Sequence, residues 1–198
     1  MLTLVRFFFA GVVLCGSGAA LAQPADPLRA LTTCAFGNKL RAQSVERLLA
    51  VAPARMVQTS GGPTPVSEAD GYRMMLAFPD TRPFVNLKLE RSQPGKLASD
   101  RNAILAQMTS FAATPGATVS PFKVVEHNGM EIMALNSSSL DGGGVISIYT
   151  LVAEKSNVIA TAYLLNQKPG ERKFKDFQQY QQLRDDFIFS LAVCMAEL

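Results

Sequence analysis

The first 22 residues constrain this chain more than any other segment, because they predict where it folds and which part of it folds. Arg6 is the only charge in the segment, residues 7–15 form an unbroken apolar run, and Ala20 and Ala22 place small residues where a signal peptidase cleaves. This pattern is typical of a secretory signal peptide. We therefore expect cleavage after Ala22, a mature chain that begins at Gln23, and a periplasmic or secreted location.

Three alternatives for the N-terminus remain, each with an observation against it. A membrane anchor needs about 20 apolar residues, whereas residues 7–22 are shorter and contain several glycines. A lipoprotein would use Cys15, but the bulky Leu14 precedes it. A buried N-terminal element of the mature fold would be interrupted at once by the polar, proline-containing stretch 23–27. After cleavage we expect no membrane span.

Removal of the signal peptide leaves residues 23–198, which carry 18 basic and 16 acidic residues. So small a positive balance favours neither nucleic acid nor an anionic membrane surface as the partner. A chain of this length is typical of one domain with a substantial hydrophobic core. We therefore expect a single exported domain.

Two cysteines, Cys34 and Cys194, remain in the mature chain once Cys15 is removed. An even pair in an oxidising compartment predicts a structural disulfide, which would join the two ends of the domain. Two buried free thiols are the alternative. A reactive thiol is a third possibility, although neither cysteine has a neighbouring histidine in the sequence and no Cys-x-x-Cys motif is present.

Helical spacing and capping signals predict four helices. Asp26 and Pro27 are a favourable N-cap and first residue for a helix over residues 28–36. The apolar residues Val45, Leu48 and Leu49 recur at helical spacing and predict a second helix over residues 40–52. Ser99 or Asp100 is expected to cap a third helix that ends near residue 113. The fourth is predicted over residues 173–195, and residues 54–69 are expected to be irregular.

Six strands are predicted, at residues 72–78, 84–90, 122–127, 130–137, 145–154 and 157–165. The clearest is the second, where Val85, Leu87 and Leu89 alternate with polar residues, so that one face is buried and one is wet. Asn128 and Gly129 are a strong signal for a two-residue hairpin turn, since both positions need positive φ. The short connections require successive strands to run antiparallel.

The order of elements predicts an α+β fold, in which an antiparallel sheet of about six strands is covered by helices in an α/β/α sandwich. Over residues 72–198 this order of hairpin, helix, meander and C-terminal helix resembles the PsbP-like family. That resemblance implies a non-catalytic adaptor or binding protein and assigns a role to no residue. The alternative fold is a cystatin-like or NTF-like sheet wrapped on one helix.

Few residues are candidates for a functional site. His127 is the only histidine, and it stands with Asn128 at a predicted hairpin tip, while Asp141 and Gly143 belong to a glycine-rich connection between two strands. We interpret these as possible binding loops. The glycines are followed by a strand rather than by the lysine and helix of a phosphate-binding loop. No catalytic residue, metal site or cofactor is predicted.

Three classes of function are consistent with these observations. The leading hypothesis is a non-catalytic interaction protein, such as an adaptor, an inhibitor or an immunity-type protein, whose partner is another exported or envelope protein. The second is a carrier of a small apolar ligand, suggested by twelve phenylalanines and eight methionines. The third is a hydrolase that uses carboxylates, with Glu90, Glu126, His127, Glu131 and Asp141 as candidates.

Overall fold

The structure is a computed structural model that describes residues 26–37, 39–48, 55–59, 62–66, 70–113, 123–127, 129–141 and 144–198. The predicted signal peptide lies outside these residues, as do Asn128 and Gly143. No helix in the described part of the chain is long and apolar enough to cross a membrane.

Three helices and nine strands are described, in the order of one helix, five strands, a second helix, four strands and a third helix. The helices are α1 (Pro27–Leu31), α2 (Leu97–Ala112) and α3 (Phe177–Ala196), and a short 3-10 turn (Pro169–Glu171) precedes α3. The strands are β1 (Arg41–Leu48), β2 (Arg55–Thr59), β3 (Gly62–Val66), β4 (Gly71–Ala77), β5 (Val85–Arg91), β6 (Lys123–His127), β7 (Met130–Asn136), β8 (Val145–Ala153) and β9 (Val158–Leu165).

An antiparallel sheet forms the centre of the molecule. Its described strands lie in the order β1-β4-β5-β9-β8-β7-β6, and every neighbouring pair runs antiparallel. All six predicted strands are present, and β1 adds a seventh at one edge. β2 and β3 pair with each other in a separate hairpin. The prediction of an antiparallel sheet covered by helices is confirmed.

Helices lie on both faces of the sheet. Side chains of a strand alternate between the two faces, and here both faces carry apolar side chains that pack against helices. On β7, Ile132 and Ala134 belong to the large apolar cluster that includes residues of α1 and α3. Met133 and Leu135 point the other way and pack with Met108 of α2 in a second, smaller cluster. This arrangement is a three-layer α/β/α sandwich, and it differs from the alternative of a sheet wrapped on one helix.

The sandwich keeps its buried polar groups paired where α3 crosses β8. Tyr180 is fully buried, and its hydroxyl donates a 2.6 Å hydrogen bond to Oγ of Ser147. Burial raises the pKa of Tyr180 above its ordinary value, so the phenol stays neutral and remains a donor. Rings of Phe84 and Phe174 lie 6.2 and 5.5 Å from the Tyr180 ring and complete the packing around it.

The prediction of a second helix over residues 40–52 is wrong in its described part, which is strand β1. Ala42 and Val45 face the same side of the sheet, opposite Leu76 and Met74 of β4, although they are three residues apart. A β-bulge at Gln43 inserts the extra residue. The helical spacing of Val45 and Leu48 has another origin, since these two residues lie on opposite faces of the sheet and Val45 is exposed, so this edge strand lacks the apolar alternation of a half-buried strand.

The prediction that residues 54–69 are irregular is also wrong, since β2 and β3 form a hairpin there. Pro63 and Pro65 of β3 made a strand improbable, because proline donates no backbone hydrogen bond. In a two-stranded hairpin each strand has one side that pairs with no other strand, and a proline whose nitrogen faces that side removes no hydrogen bond. Pro63 and Pro65 are two residues apart, so their nitrogens can both face the unpaired side of β3.

Helix caps are predicted with mixed success. Asp26 caps α1 as expected, accepting a 3.1 Å bond from the backbone N–H of Leu28, although α1 ends at Leu31 rather than near residue 36. The expected cap of α2 by Ser99 or Asp100 is wrong: α2 begins at Leu97 without a side-chain cap, which places Asp100 inside its first turn. α3 begins later than predicted, where Asp176 caps it.

Cys34 and Cys194 form a disulfide with their Cα atoms 6.4 Å apart. The bond joins the segment after α1 to the last turns of α3 across 160 residues of sequence. A crosslink over so long a loop restricts the unfolded chain strongly, by about 5 kcal/mol in the chain-entropy model. The disulfide is consistent with folding in an oxidising compartment.

We expect the double substitution Cys34→Ser and Cys194→Ser to lower the free energy of unfolding by about 2–5 kcal/mol, because the unfolded chain regains its freedom. Urea denaturation of both proteins, each with and without dithiothreitol, measures this. The reductant should destabilise the parent protein by a similar amount and leave the variant unchanged. A variant that unfolds at the same urea concentration as the parent would contradict this account.

Asp100 predicts a pH dependence of stability. Its side chain is buried, and burial raises the pKa of the carboxyl above 3.8, partly offset by a hydrogen bond with Ser92 and by the charge of Lys96. The folded state therefore binds the proton more tightly than the unfolded state. This contribution to stability is fully present below the unfolded pKa and is lost as the pH rises through the folded pKa.

Asp100→Asn, which resembles the protonated carboxyl, should therefore be at least as stable as the parent at pH 7. Its advantage should shrink as the pH falls to about 4 in urea denaturation series. If the variant is less stable than the parent at pH 7 by more than about 1 kcal/mol, the bond from Ser92 to the ionised carboxylate outweighs the cost of burial.

Candidate functional site

Of the four residues proposed as binding loops, His127 and Asp141 lie in the described part of the chain. Asp141 is exposed in the connection after β7, and its backbone N–H donates to Oγ of Ser139. His127 ends β6 opposite Met130, the first residue of β7. β7 is about 20 Å long at 3.4 Å per residue, and His127 lies beside its first residue, whereas Asp141 follows its last.

The acidic candidates for hydrolysis are only partly separated, because Glu126 of β6 stands directly opposite Glu131 of β7, whereas Glu90 lies on β5. Glu90 pairs with Lys88 at 2.7 Å, and Glu131 pairs with Arg101. The two glutamates lie in one cross-strand row with β9 and β8 between them, which places them about 14 Å apart at about 4.8 Å per strand. Paired glycosidase carboxylates need about 5–10 Å. In the described part of the chain no group of His, Cys, Asp and Glu residues could hold a metal ion.

Strand β1 is the most accessible strand whose side chains the structure describes. It pairs with β4 on one side only and lies at the edge of the sheet. All seven residues from Arg41 to Arg47 are exposed. An edge strand presents a row of backbone N–H and C=O groups to which another extended chain can pair. β1 is therefore our candidate functional site, and we call it the β1 edge.

The charge of the β1 edge is positive at both ends. Arg41 and Arg47 stand six residues apart, and neither forms an ion pair within the described residues. Glu46 is the only acidic residue of the strand, and Arg73 of β4 lies 3.7 Å from it. An extended chain with carboxylates would therefore meet two arginines that have no ion pair, while the carboxylate of Glu46 lies near Arg73.

Two surface grooves flank the start of β1. One, of about 510 Å³, separates Lys39 from the N-terminal half of α3. It is lined by Lys39, Phe78, Lys173, Gln179, Gln182, Leu183 and Asp186. The other, of about 340 Å³, runs between the segment after α1 and β1, and Cys34 and Arg41 are among its lining residues. The first groove adds two lysines to the positive charge beside the β1 edge.

The segment before β1 is fixed against α3 at three points. Cys34 is bonded to Cys194, the Phe36 ring lies 5.8 Å from the Phe187 ring, and the N–H of Gly37 donates to Oγ of Ser190 at 3.2 Å. The three positions of α3 are spaced at i, i+3 and i+7, so they form one helical face. We call residues 34–37 the anchor segment. It determines where β1 begins.

Gly37 is required by this close approach. A Cβ at this position would lie 3.1 Å from the carbonyl oxygen of Asp186 and 3.1 Å from Oγ of Ser190. The first of these atoms belongs to the backbone of α3 and cannot move independently of the helix. The second accepts the bond that holds the anchor segment. A larger residue would therefore push the segment away from α3.

Comparisons with models of protein families, with characterised proteins and with solved structures gave no match to this chain. The resemblance to the PsbP-like family thus remains a hypothesis that rests on the order of helices and strands.

The sequence offered little signal for the β1 edge. Its bulge obscures the alternation typical of strands, and its position at the edge depends on pairing with β4, which is remote in the sequence. Gly37 directly follows the helix predicted over residues 28–36, and the sequence does not show its close approach to α3. The basic residues Arg41 and Arg47 stand opposite Ala77 and Tyr72 of β4, so they lie at the two ends of the same edge and on opposite faces of the sheet.

We expect Gly37→Ala to lower the free energy of unfolding by about 1 kcal/mol, because the new methyl group crowds α3 and weakens the bond to Ser190. Gly170→Ala is the matched control, since a Cβ there meets nothing within 4 Å; it should change stability by less than about 0.5 kcal/mol. Thermal and urea denaturation measure both. Equal stability of the two variants would show that the anchor segment is not tightly packed.

Proposed function

We propose that this protein is an exported, non-catalytic interaction protein, and that it binds an extended acidic segment of another exported or envelope protein by adding that segment to the β1 edge. The observation that carries the proposal is the fully exposed edge strand with uncompensated arginines at both ends. Strand addition gains affinity from main-chain hydrogen bonds and specificity from side chains.

The basic side chains at and beside the β1 edge favour a partner segment that carries carboxylates. Arg41 and Arg47 lie on the strand itself, and Lys39 and Lys173 line the groove at its start. A peptide with carboxylates would be attracted to this end of the molecule, and one with basic residues would be repelled.

The disulfide and the pattern of the first 22 residues support an oxidising location, which we propose to be the periplasm or the extracellular space. In such a location a crosslinked domain would keep the edge strand in place while its partner binds. Arg41 donates a hydrogen bond to the carbonyl oxygen of Leu40, but neither Arg41 nor Arg47 forms an ion pair within the described chain, and carboxylates of the partner protein would supply these ion pairs.

The other two hypotheses receive less support from the packing. Met74 and Met130 belong to the core between the sheet and α3, and Met108 and Met133 to the core beneath α2. These methionines, which suggested a carrier of an apolar ligand, serve as core residues. For the hydrolase hypothesis, Glu90 and Glu131 lie far apart and each pairs with a basic side chain, although Glu131 stands directly opposite Glu126 of β6.

The test uses a fluorescent eight-residue peptide of alternating glutamate and valine, with blocked termini, and measures binding by anisotropy. Reversal of both charges, Arg41→Glu with Arg47→Glu, should weaken binding about tenfold or more at low salt, and added salt should weaken binding to the parent protein. The matched control reverses two exposed lysines far from β1, Lys155→Glu with Lys168→Glu. It has the same net charge and should bind like the parent.

Two further outcomes separate strand addition from nonspecific attraction. The same peptide with N-methyl groups at alternate residues should bind far more weakly, because it cannot form the ladder. Affinity purification from an envelope extract should recover a partner with the parent protein and the lysine control, and lose it with the arginine variant. Equal loss in both charge variants, or full binding of the methylated peptide, would contradict the proposal.

A further inference from the structure

A second site, independent of the β1 edge, lies between α2 and the sheet. It is a cavity of about 30 Å³, enough for one or two water-sized groups. Polar groups line its sheet side and apolar groups line much of its helix side. The lining residues are Lys88, Glu90, Ile104, Gln107, Met108, Phe111, Ile148, Thr150, Thr161 and Tyr163.

The floor of the cavity is a polar row across three strands. Lys88 lies opposite Thr161, and Thr161 lies opposite Thr150. Thr150 is fully buried and Thr161 is 9% exposed, and their hydroxyl oxygens are 3.5 Å apart. An ordinary hydroxyl hydrogen bond is about 2.7–2.8 Å long. The two hydroxyls therefore satisfy each other only weakly in a place that water reaches poorly.

An ion pair borders this row. Nζ of Lys88 lies 2.7 Å from Oε1 of Glu90, and each side chain is 13% exposed. The pair is electrically neutral as a whole, but the ammonium retains further N–H donors and the carboxylate further acceptor positions. Separating the two charges in this half-enclosed place would leave each with a desolvation cost. The cavity therefore favours a group that forms hydrogen bonds with both Lys88 and Glu90 and leaves their ion pair intact.

An apolar track leads from the cavity to the surface. Ile104, Met108 and Phe111 follow one face of α2 at i, i+4 and i+7 spacing. Met108 is 3% exposed, whereas Phe111 is 48% exposed, so the track runs from the core to solvent. Polar groups on the sheet and an apolar face of α2 therefore line one cavity, and these two surfaces match the two ends of an amphiphilic molecule.

We propose that this cavity binds a small neutral amphiphile, in which a hydroxyl or primary amide head enters the cavity and a short apolar chain lies along the α2 track. The head both donates and accepts hydrogen bonds, so it can complete the bonding of Thr150, Thr161 and the Lys88–Glu90 pair. A charged head of the same size is disfavoured, because it would have to break the ion pair.

The test is an NMR titration of the full chain, labelled in backbone amides and in methionine and isoleucine methyl groups. The probes are hexan-1-ol, hexanamide, hexanoate and hexylamine. Hexan-1-ol and hexanamide should shift the methyl signals of Met108 and Ile104 and should bind at least fivefold more tightly than the two charged probes.

Thr150→Val removes one floor hydroxyl without changing the side-chain shape and should weaken hexan-1-ol binding about fivefold. Thr109→Val makes the same change on the exposed side of α2, where the hydroxyl bonds only within the helix, and should leave binding unchanged. Phe111→Ala, at an exposed position, should weaken hexan-1-ol binding while leaving the fold intact.

Three results would overturn the proposal. One is the absence of methyl shifts with any probe up to its solubility limit, which would make the cavity a site for water alone. Another is tighter binding of hexanoate or hexylamine than of hexan-1-ol. The third is equal binding to the parent protein, Thr150→Val and Phe111→Ala, which would place the probe elsewhere.

Discussion

The attachment of the anchor segment to α3 is the contact on which the rest of the arrangement depends. A covalent bond at Cys34, an aromatic contact at Phe36 and a backbone hydrogen bond at Gly37 meet one face of the same helix. Because β1 begins only four residues after Gly37, these contacts set the position at which it meets β4. α3 in turn is fixed to the sheet by its buried side chains, among them Tyr180 and Phe187. The edge strand is thus supported by the core although its own side chains are exposed.

This support explains how an exposed strand can serve recognition. A strand with few buried side chains gains little stability from packing and opens readily unless its neighbours restrain it. Here the restraint comes from the anchor segment before β1 and from the ladder with β4. The open side of β1 therefore remains extended without a partner, which lowers the ordering cost that a partner would otherwise meet on binding. The cavity beneath α2 lies on the other face of the sheet, so the two proposed sites do not share side chains.

The sequence predicted the parts of the fold that depend on local pattern. The alternation of Val85, Leu87 and Leu89 identified β5, and the cap at Asp26 identified the start of α1. It failed where two effects outweigh local pattern. β1 is exposed on both faces from Arg41 to Arg47, so its few apolar residues do not alternate and have the spacing of a helix, and the open edges of a two-stranded ribbon accommodated Pro63 in β3. Neither candidate site could be predicted, because the β1 edge depends on remote strand pairing, and the cavity unites Lys88, Thr150 and Thr161 only through the register of three strands.

Amide hydrogen exchange along β1 tests the central claim most directly. If β1 is an anchored strand with one open side, alternate amides from Arg41 to Arg47 should exchange slowly through their bonds to β4, while those between them exchange quickly. Reduction of the disulfide should accelerate exchange in β1 more than in β8 and β9. Uniform protection along β1 in the free protein would show that its outer side is already covered. Exchange that is unchanged by reduction would show that the anchor segment does not hold the strand.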